Sequence, residues 1–153
     1  MASPVTVRVQ TEDFDAGMEM HRLQQLTSET GAVASFLGVV RDRNDGRSVS
    51  GMMLEHYPGM TEKSLTGICQ RAAERWPLLG ATVIHRVGPL QVGDQIVLVA
   101  VSSEHRDAAF DACRFIMDYL KTEAPFWKKE DTPAGSRWVD ARDSDDQARA
   151  RWQ

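Results

Sequence analysis

The sequence predicts an α+β fold in a single domain that spans residues 1–153. Segments with the alternation or β-branched content of strands come largely in pairs, and segments with helical apolar spacing separate them. The resulting order, βαββαββαββ, mixes hairpins with about three helices. This order favours a mixed or antiparallel sheet over a doubly wound one. A chain of 153 residues also has the usual size of one domain.

The first part of the chain contains one strand, one helix and a predicted hairpin. Residues 5–10 (VTVRVQ) alternate like a strand, and residues 13–27 carry apolar side chains at a spacing near 3.6, which predicts a helix. Residues 31–41 are rich in β-branched side chains and end in the polar loop DRNDGRS. We expect residues 51–57 to be the returning strand of that hairpin.

The middle of the chain predicts a helix followed by two strands. Pro58 and Gly59 interrupt the pattern before a helix with an apolar stripe, which Pro77 ends. ATVIHRVG and DQIVLVAVSS then have the composition of strands, and the linking PLQVGD carries the proline and glycine of a turn.

The last third predicts a helix, a hairpin and a tail. Ser103 is a plausible N-cap for the helix EHRDAAFDACRFIMDYLKT, which should end just after Lys121 because Pro125 disfavours the α conformation at the residue before it. PFWKKE and SRWVD are predicted strands joined by the turn TPAG. The polar tail, residues 141–153, alternates acids and arginines and is expected to be a solvated helix or a frayed end.

Charge and composition exclude several classes of function. A net charge of −4 and a pI near 5.5 argue against a broad nucleic-acid footprint, so any anion must be met by a local cationic cluster. The start of the chain lacks a signal-peptide pattern and no apolar stretch is long enough to span a bilayer, so we expect a cytosolic protein. Cys69 and Cys113 lack metal-ligand spacing, and a disulfide or a metal site is not expected.

In two segments, cationic side chains stand where a predicted strand ends or a predicted helix begins. Arg41 and Arg43 flank a predicted strand end, where a lone arginine is usually just solvated. His105 and Arg106 begin a predicted helix, where free N–H groups and the helix dipole favour an anion. A phosphate site and an ordinary helix start with an acidic neighbour are equally consistent with that pair.

Three lysines lie near a proline and two aromatic residues. Lys121 is at a helix C-terminus, where the dipole favours its charge and a purely local role is also reasonable. Lys128 and Lys129 are neighbours on a predicted strand and must face opposite sides, so at most one of them shares a pocket with Lys121. Two converging lysines would lower each other's pKa and so provide a base or a nucleophile near neutral pH. His21 and His85 have no evident partners and are interpreted as structural.

The chain resembles the large, catalytic subunit of molybdopterin synthase, the MoaE family. The resemblance runs from about residue 4 to the final tryptophan and is carried by LEHYPGMTEK, by the segment from RWPLLG to FWKKE, and by RWVDARDSD. It implies an α/β-hammerhead-like fold and the conversion of cyclic pyranopterin monophosphate to molybdopterin. It also implies two partners: a small ubiquitin-like subunit whose C-terminal Gly-Gly thiocarboxylate donates the sulfur, and a second large subunit within a heterotetramer. No cofactor is implied.

The resemblance also assigns roles to residues. Lys121 and Lys128 match the catalytic lysines of the family. The remaining matched positions are substrate-binding: Arg41 with its neighbours Val39 and Val40, the phosphate-binding pair His105 and Arg106, and Lys129 and Glu130, which line the same region.

These cations would give an acidic protein a local binding site for two anions. A cyclic phosphate and a thiocarboxylate about 4 Å apart repel by roughly 4 kcal/mol at a dielectric of about 20. Two rival functions remain open on residues alone. One is a non-catalytic module that docks an anionic tail, and the other is a structural dimer joined through Trp127 and Trp138.

Overall fold

The computed structural model describes residues 4–44, 46–139 and 143–153, which form two four-stranded sheets, a two-stranded ribbon and four helices. The α+β class is confirmed, with one helix more than expected because the tail forms its own. The elements in chain order are β1 (Val5–Gln10), α1 (Ala16–Gln24), β2 (Ala32–Val39), β3 (Arg43–Asn44), β4 (Arg47–Ser48), β5 (Gly51–His56), α2 (Met60–Arg75), β6 (Leu78–Arg86), β7 (Gly88–Gln91), β8 (Gln95–Ser103), α3 (Arg106–Glu123), β9 (Phe126–Thr132), β10 (Gly135–Val139) and α4 (Asp143–Ala150).

The first sheet has the strand order β1-β6-β8-β2 and holds the main core. β1 runs parallel to β6, and the other neighbours are antiparallel. β6 and β8 are covered on both faces, which explains their nearly continuous apolar sequences. Val83 packs in the core cluster that includes α2 and α3, whereas Ile84 packs with Leu23 of α1 on the opposite face.

The second sheet has the order β10-β9-β5-β7 and is antiparallel throughout. The chain passes from the first sheet to the second between β6 and β7, where Gly88 has a φ of 85° that favours glycine. The helix α2 begins after Gly59, which also has a positive φ and whose N–H donates to Glu62 Oε1.

The predicted hairpin between residues 31–41 and 51–57 is wrong. β2 pairs with β8, and β5 pairs with β7 and β9. The polar loop instead closes on itself as the β3-β4 ribbon. β8, with nine largely apolar residues, offers β2 a longer partner than the six-residue β5 does. The predicted pairs β6-β8 and β9-β10 are confirmed.

The long helix α3 buries one face, which includes Ala109, Ala112 and Ile116. Its N-cap is His105, and the prediction of Ser103 is wrong because that residue ends β8 and donates its hydroxyl to the carbonyl of Pro77. The helix runs to Glu123, two residues past the expected end, and Ala124 is extended before the proline.

The C-terminal tail packs against the domain, contrary to the expected solvated or frayed end. Trp152 makes edge contacts with Trp76 and Phe115, at ring-centroid distances of 5.5 and 5.7 Å. Its Nε1–H donates to Asp118 Oδ2 over 2.7 Å. One aromatic residue therefore anchors a helix whose sequence is otherwise polar.

Cys69 and Cys113 are both buried and are not joined. Burial raises the pKa of each thiol to about 12, so both behave as small apolar residues. Among the described residues, no helix is both long and apolar enough to cross a membrane.

Candidate active site

A cavity of about 500 Å³ opens where the end of β2, the C-terminal end of α3 and the strand β9 meet. This volume is in the range of small-molecule sites. Apolar side chains, among them Leu54, Leu120 and Phe126, form much of its wall. Its charged lining within the described part of the chain consists of Arg41, Arg43, Lys121, Lys128, Glu130 and Asp145.

A bulge at the end of β2 directs Arg41 toward the cavity. Gly38 pairs with Val97 and Val39 pairs with Gln95, so the register shifts between them. A side chain at Gly38 would lie only 2.8 Å from Val97 Cγ1, so glycine is needed at this close approach. Val39, one of the predicted substrate-binding residues at this strand end, is exposed and lines the cavity.

Val40 does not line the cavity but fixes the segment that does. Its side chain is buried against Met52, Leu54 and Leu90. Its N–H donates to the carbonyl of Asp94, and its own carbonyl accepts from Gly93, both over 2.9 Å. These contacts hold the backbone immediately before Arg41.

The turn between α3 and β9 sets the two lysines on one cavity. Lys121 lies in the last turn of α3, and Lys128 faces the cavity from β9. Thr61 is fully buried. Its hydroxyl donates to the Pro125 carbonyl over 3.1 Å and accepts from the Tyr57 N–H over 3.0 Å. The start of α2 is thereby tied to the turn that separates the lysines.

Glu130 is a buried carboxylate beside one of those lysines. Its residue is 1% exposed, and its Oε2 lies 3.9 Å from Lys128 Nζ, on the same face of β9. A nearby ammonium lowers the cost of burying such a charge.

Lys129 projects from the other face of β9, as the strand alternation predicts. It contributes to a separate groove, with its Nζ 5.7 Å from the ring centroid of Trp138. Lys129 and Glu130, both expected near the substrate, therefore lie on opposite sides of the sheet.

His105 and Arg106 lie at the other end of α3. Both are exposed, and neither lines the cavity. Arg106 and Lys121 are separated by fifteen residues of helix, about 22 Å along its axis. Within one chain, the five expected cations do not converge: the structure brings Arg41, Lys121 and Lys128 together and leaves the histidine–arginine pair apart.

His85 is the cavity residue that the sequence did not reveal. It lines the wall near the end of β6, and its ring stacks on Phe126 at a centroid distance of 3.8 Å and an angle of 20°. The pKa of His85 is lowered to about 3, chiefly by burial, with smaller lowering effects from Lys121 and His56 and an opposing effect from the hydrogen bond to the Arg86 carbonyl. The one available signal was its place at the end of an apolar strand, facing the side of the sheet that α3 covers.

The cavity carries more positive than negative side chains in a chain of net charge −4. Cations concentrated in a concave site with apolar walls attract and orient anions. The fold and the site thus define an α+β protein with a predominantly cationic cavity that two lysines line.

Comparison with known proteins identifies the family. The family model described as "MoaE protein" matches residues 9–123, and the chain belongs to this family. A molybdopterin synthase catalytic subunit from Ralstonia nicotianae is 63% identical over 147 residues, covering 96% of this chain and 84% of the relative.

Solved structures agree. A molybdopterin biosynthesis MoaE protein from Burkholderia ambifaria has a TM-score of 0.83 and 54% identity and covers 97% of both chains. A molybdopterin synthase from Staphylococcus aureus has a TM-score of 0.80 and 34% identity, covering 87% of this chain and 96% of the other. The resemblance drawn from the sequence is confirmed.

Proposed function

We propose that this chain is the catalytic subunit of a molybdopterin synthase. It converts cyclic pyranopterin monophosphate to molybdopterin by inserting two dithiolene sulfurs. Each sulfur comes from the C-terminal thiocarboxylate of a small ubiquitin-like partner. The observation that carries the proposal is the cavity in which Arg41, Lys121 and Lys128 meet, in a family whose named relatives are molybdopterin synthases.

The chemistry requires both an anion-binding site and groups that transfer protons. The thiocarboxylate sulfur attacks a carbon of the pterin side chain: a carbon–sulfur bond forms, a carbon–oxygen bond at the same carbon breaks, and the displaced oxygen either stays on the phosphate or takes up protons and leaves as water. The partner is then attached to the pterin as a thioester. Water then cleaves the acyl–sulfur bond, leaving the sulfur on the pterin and a carboxylate on the partner. Lys121 and Lys128 donate or accept the protons and stabilise the tetrahedral oxyanion at the acyl carbon.

The remaining family positions serve binding. Arg41 and the backbone held by Val39 and Val40 contact the pterin, and Glu130 keeps the Lys128 ammonium in place. His105 and Arg106 bind phosphate. Because they are far from the lysines of their own chain, they complete the site of a second copy, in a central dimer of large subunits with one small subunit at each end. We place this assembly in the cytoplasm.

A reconstituted assay tests the proposal. Purified protein, cyclic pyranopterin monophosphate and thiocarboxylated partner are combined, and the product is followed as an oxidised fluorescent pterin. Lys121→Ala should abolish the product and keep the fold, whereas Lys63→Ala, at an exposed position on α2, should retain turnover. Near-normal turnover of Lys121→Ala would refute the role of this lysine. Partner binding without any product from the unaltered chain would indicate a docking module.

The phosphate role of Arg106 has a separate test. Arg106→Ala should weaken binding of cyclic pyranopterin monophosphate more than it slows the chemical step, because a phosphate contact acts on both ground and transition states. Substrate affinity measured by calorimetry would remain unchanged if Arg106 lies outside the site.

A further inference from the structure

The end of β6 brings a buried imidazole to the wall of the lysine cavity. His85 pairs in register with Val9 of β1 and Val97 of β8, so the backbone on both sides is fixed. The residue is 5% exposed. Strand alternation turns it to the side of the sheet that α3 covers, where Lys121 and Phe126 line the same cavity.

The orientation of the ring is determined by two contacts. Nδ1 lies 2.8 Å from the Arg86 carbonyl oxygen, which can only accept, so Nδ1 carries the hydrogen. The Phe126 ring, stacked at a centroid distance of 3.8 Å, fixes the plane of the imidazole, and the contact with the Arg86 carbonyl selects which edge of the ring carries Nδ1. In the neutral ring, Nε2 is therefore the unprotonated nitrogen and can only accept a hydrogen bond.

The ring stays neutral over the working pH range of an enzyme, because its pKa is lowered to about 3. His85 thus adds no charge to the cavity and provides a neutral hydrogen-bond acceptor there. The titratable and charged groups that face it from the surrounding elements are Lys121 of α3, His56 of β5, Lys128 and Glu130 of β9, Arg41 and Arg43 after β2, and Asp145 of α4.

We propose that His85 is a positioning residue that holds the Lys121 amine through Nε2 and so sets both its direction and the pH range over which it is charged. The proposal rests on the catalytic role proposed above for Lys121. An acceptor favours the charged form of an amine, so removing it makes the amine lose its proton at lower pH. The direction of this change is the same whether Lys121 serves as acid or as base.

Three substitutions separate this role from simple packing. His85→Phe keeps a ring against Phe126 but has no acceptor. His85→Asn keeps a donor near the Nδ1 position for the Arg86 carbonyl, whereas His85→Gln can present an acceptor near the Nε2 position. The last two differ by one methylene, so each serves as the control for the other if the phenylalanine variant fails to fold.

Two measurements are made on each variant in the assembled complex. The first is kcat against pH in the reconstituted assay, and the second is the NMR titration of Lys121 through its ε-carbon signal. We expect kcat to fall about tenfold or more in His85→Phe and His85→Asn and to recover largely in His85→Gln. The Lys121 midpoint should move down by about one pH unit in the first two variants.

The inference is overturned if His85→Asn and His85→Gln share one kcat and one Lys121 midpoint, or if His85→Phe matches the unaltered protein in both. A complex that makes no product with the unaltered chain would refute the proposed function instead. The NMR titration then decides alone: an unchanged midpoint overturns the inference, and a lowered one supports it.

Discussion

The carboxyl side chain of Glu130 is almost without solvent, and its Oε2 lies 3.9 Å from Lys128 Nζ. We expect Glu130→Gln to lower turnover at least about tenfold, because the amide keeps the shape but no longer holds the ammonium by charge. Glu55→Gln, at an exposed position on β5, is the matched control. Turnover of the assembled enzyme checks this, and equal rates for the two variants would contradict it.

His85 makes folding stability depend on pH. An unfolded histidine titrates near 6.5, whereas the folded residue has a pKa of about 3. Below about pH 6.5 the unfolded chain therefore binds a proton that the folded chain does not, and the free energy of unfolding falls as the pH falls toward 3.

From pH 7 to pH 5, the unaltered protein should lose about 2 kcal/mol more than His85→Phe does. Urea unfolding at the two pH values measures this difference, and the other histidines cancel because both proteins contain them. If the free energy of unfolding depended on pH in the same way in both proteins, His85 would take up its proton in the folded state as readily as in the unfolded chain.

At the scale of single residues, the sequence predicted that Lys128 and Lys129 face opposite sides of their strand, because strand alternation is a local property. It did not predict that His85 belongs to the cavity, because its partners Phe126 and Lys121 come from elements much later in the chain. A local sequence pattern cannot show that residues so far apart in the chain lie close together.

Among the elements, the turn between α3 and β9 depends on a side chain from α2. Thr61→Val should lower the free energy of unfolding by about 2 kcal/mol, because it leaves the Pro125 carbonyl and the Tyr57 N–H without their buried partner. Thr66→Val, half-buried on the same helix, controls for the change of side-chain type. Chemical unfolding measures both variants, and equal losses would show that the tie contributes nothing.

The tail helix α4 is held by one residue. Trp152→Ala should cost about 2 kcal/mol, less than the loss of a fully buried aromatic side chain, because the residue is only half-buried. Trp152→Phe should cost about 1 kcal/mol, since it keeps the aromatic contacts and loses the hydrogen bond to Asp118. Thermal unfolding of the two variants checks the order, and a tail that contributes nothing would leave both unchanged.

The sequence predicted most elements within a few residues but misassigned the partner of β2. Local turn chemistry pointed to β5, while the apolar length of β8 determined the actual pairing. The packing of the tail was not predicted for a similar reason. Its alternating charges describe the exposed side of α4 and do not indicate the aromatic residues that Trp152 contacts.

For the whole molecule, the separation of Arg106 from Lys121 predicts a site shared between two copies. At substrate concentrations below KM, Lys121→Ala and Arg106→Ala proteins, each weak alone, should regain about a quarter of full activity when dissociated and reassembled together, because half of the pairs are mixed and each mixed pair has one intact site. The reconstituted assay measures the recovery. If activity never exceeds the average of the two variants, each chain carries its whole site by itself.

The cavity wall combines residues from β2 near the start of the chain with residues from α3, β9 and α4 near its end. On the ribosome, where the N-terminal part emerges first, Arg41 is available long before Lys121, Lys128 and Asp145 have been added. A nascent chain that has not yet reached Asp145 therefore lacks part of this cavity wall, and the proposed binding site for the anionic tail is incomplete until that residue has been added.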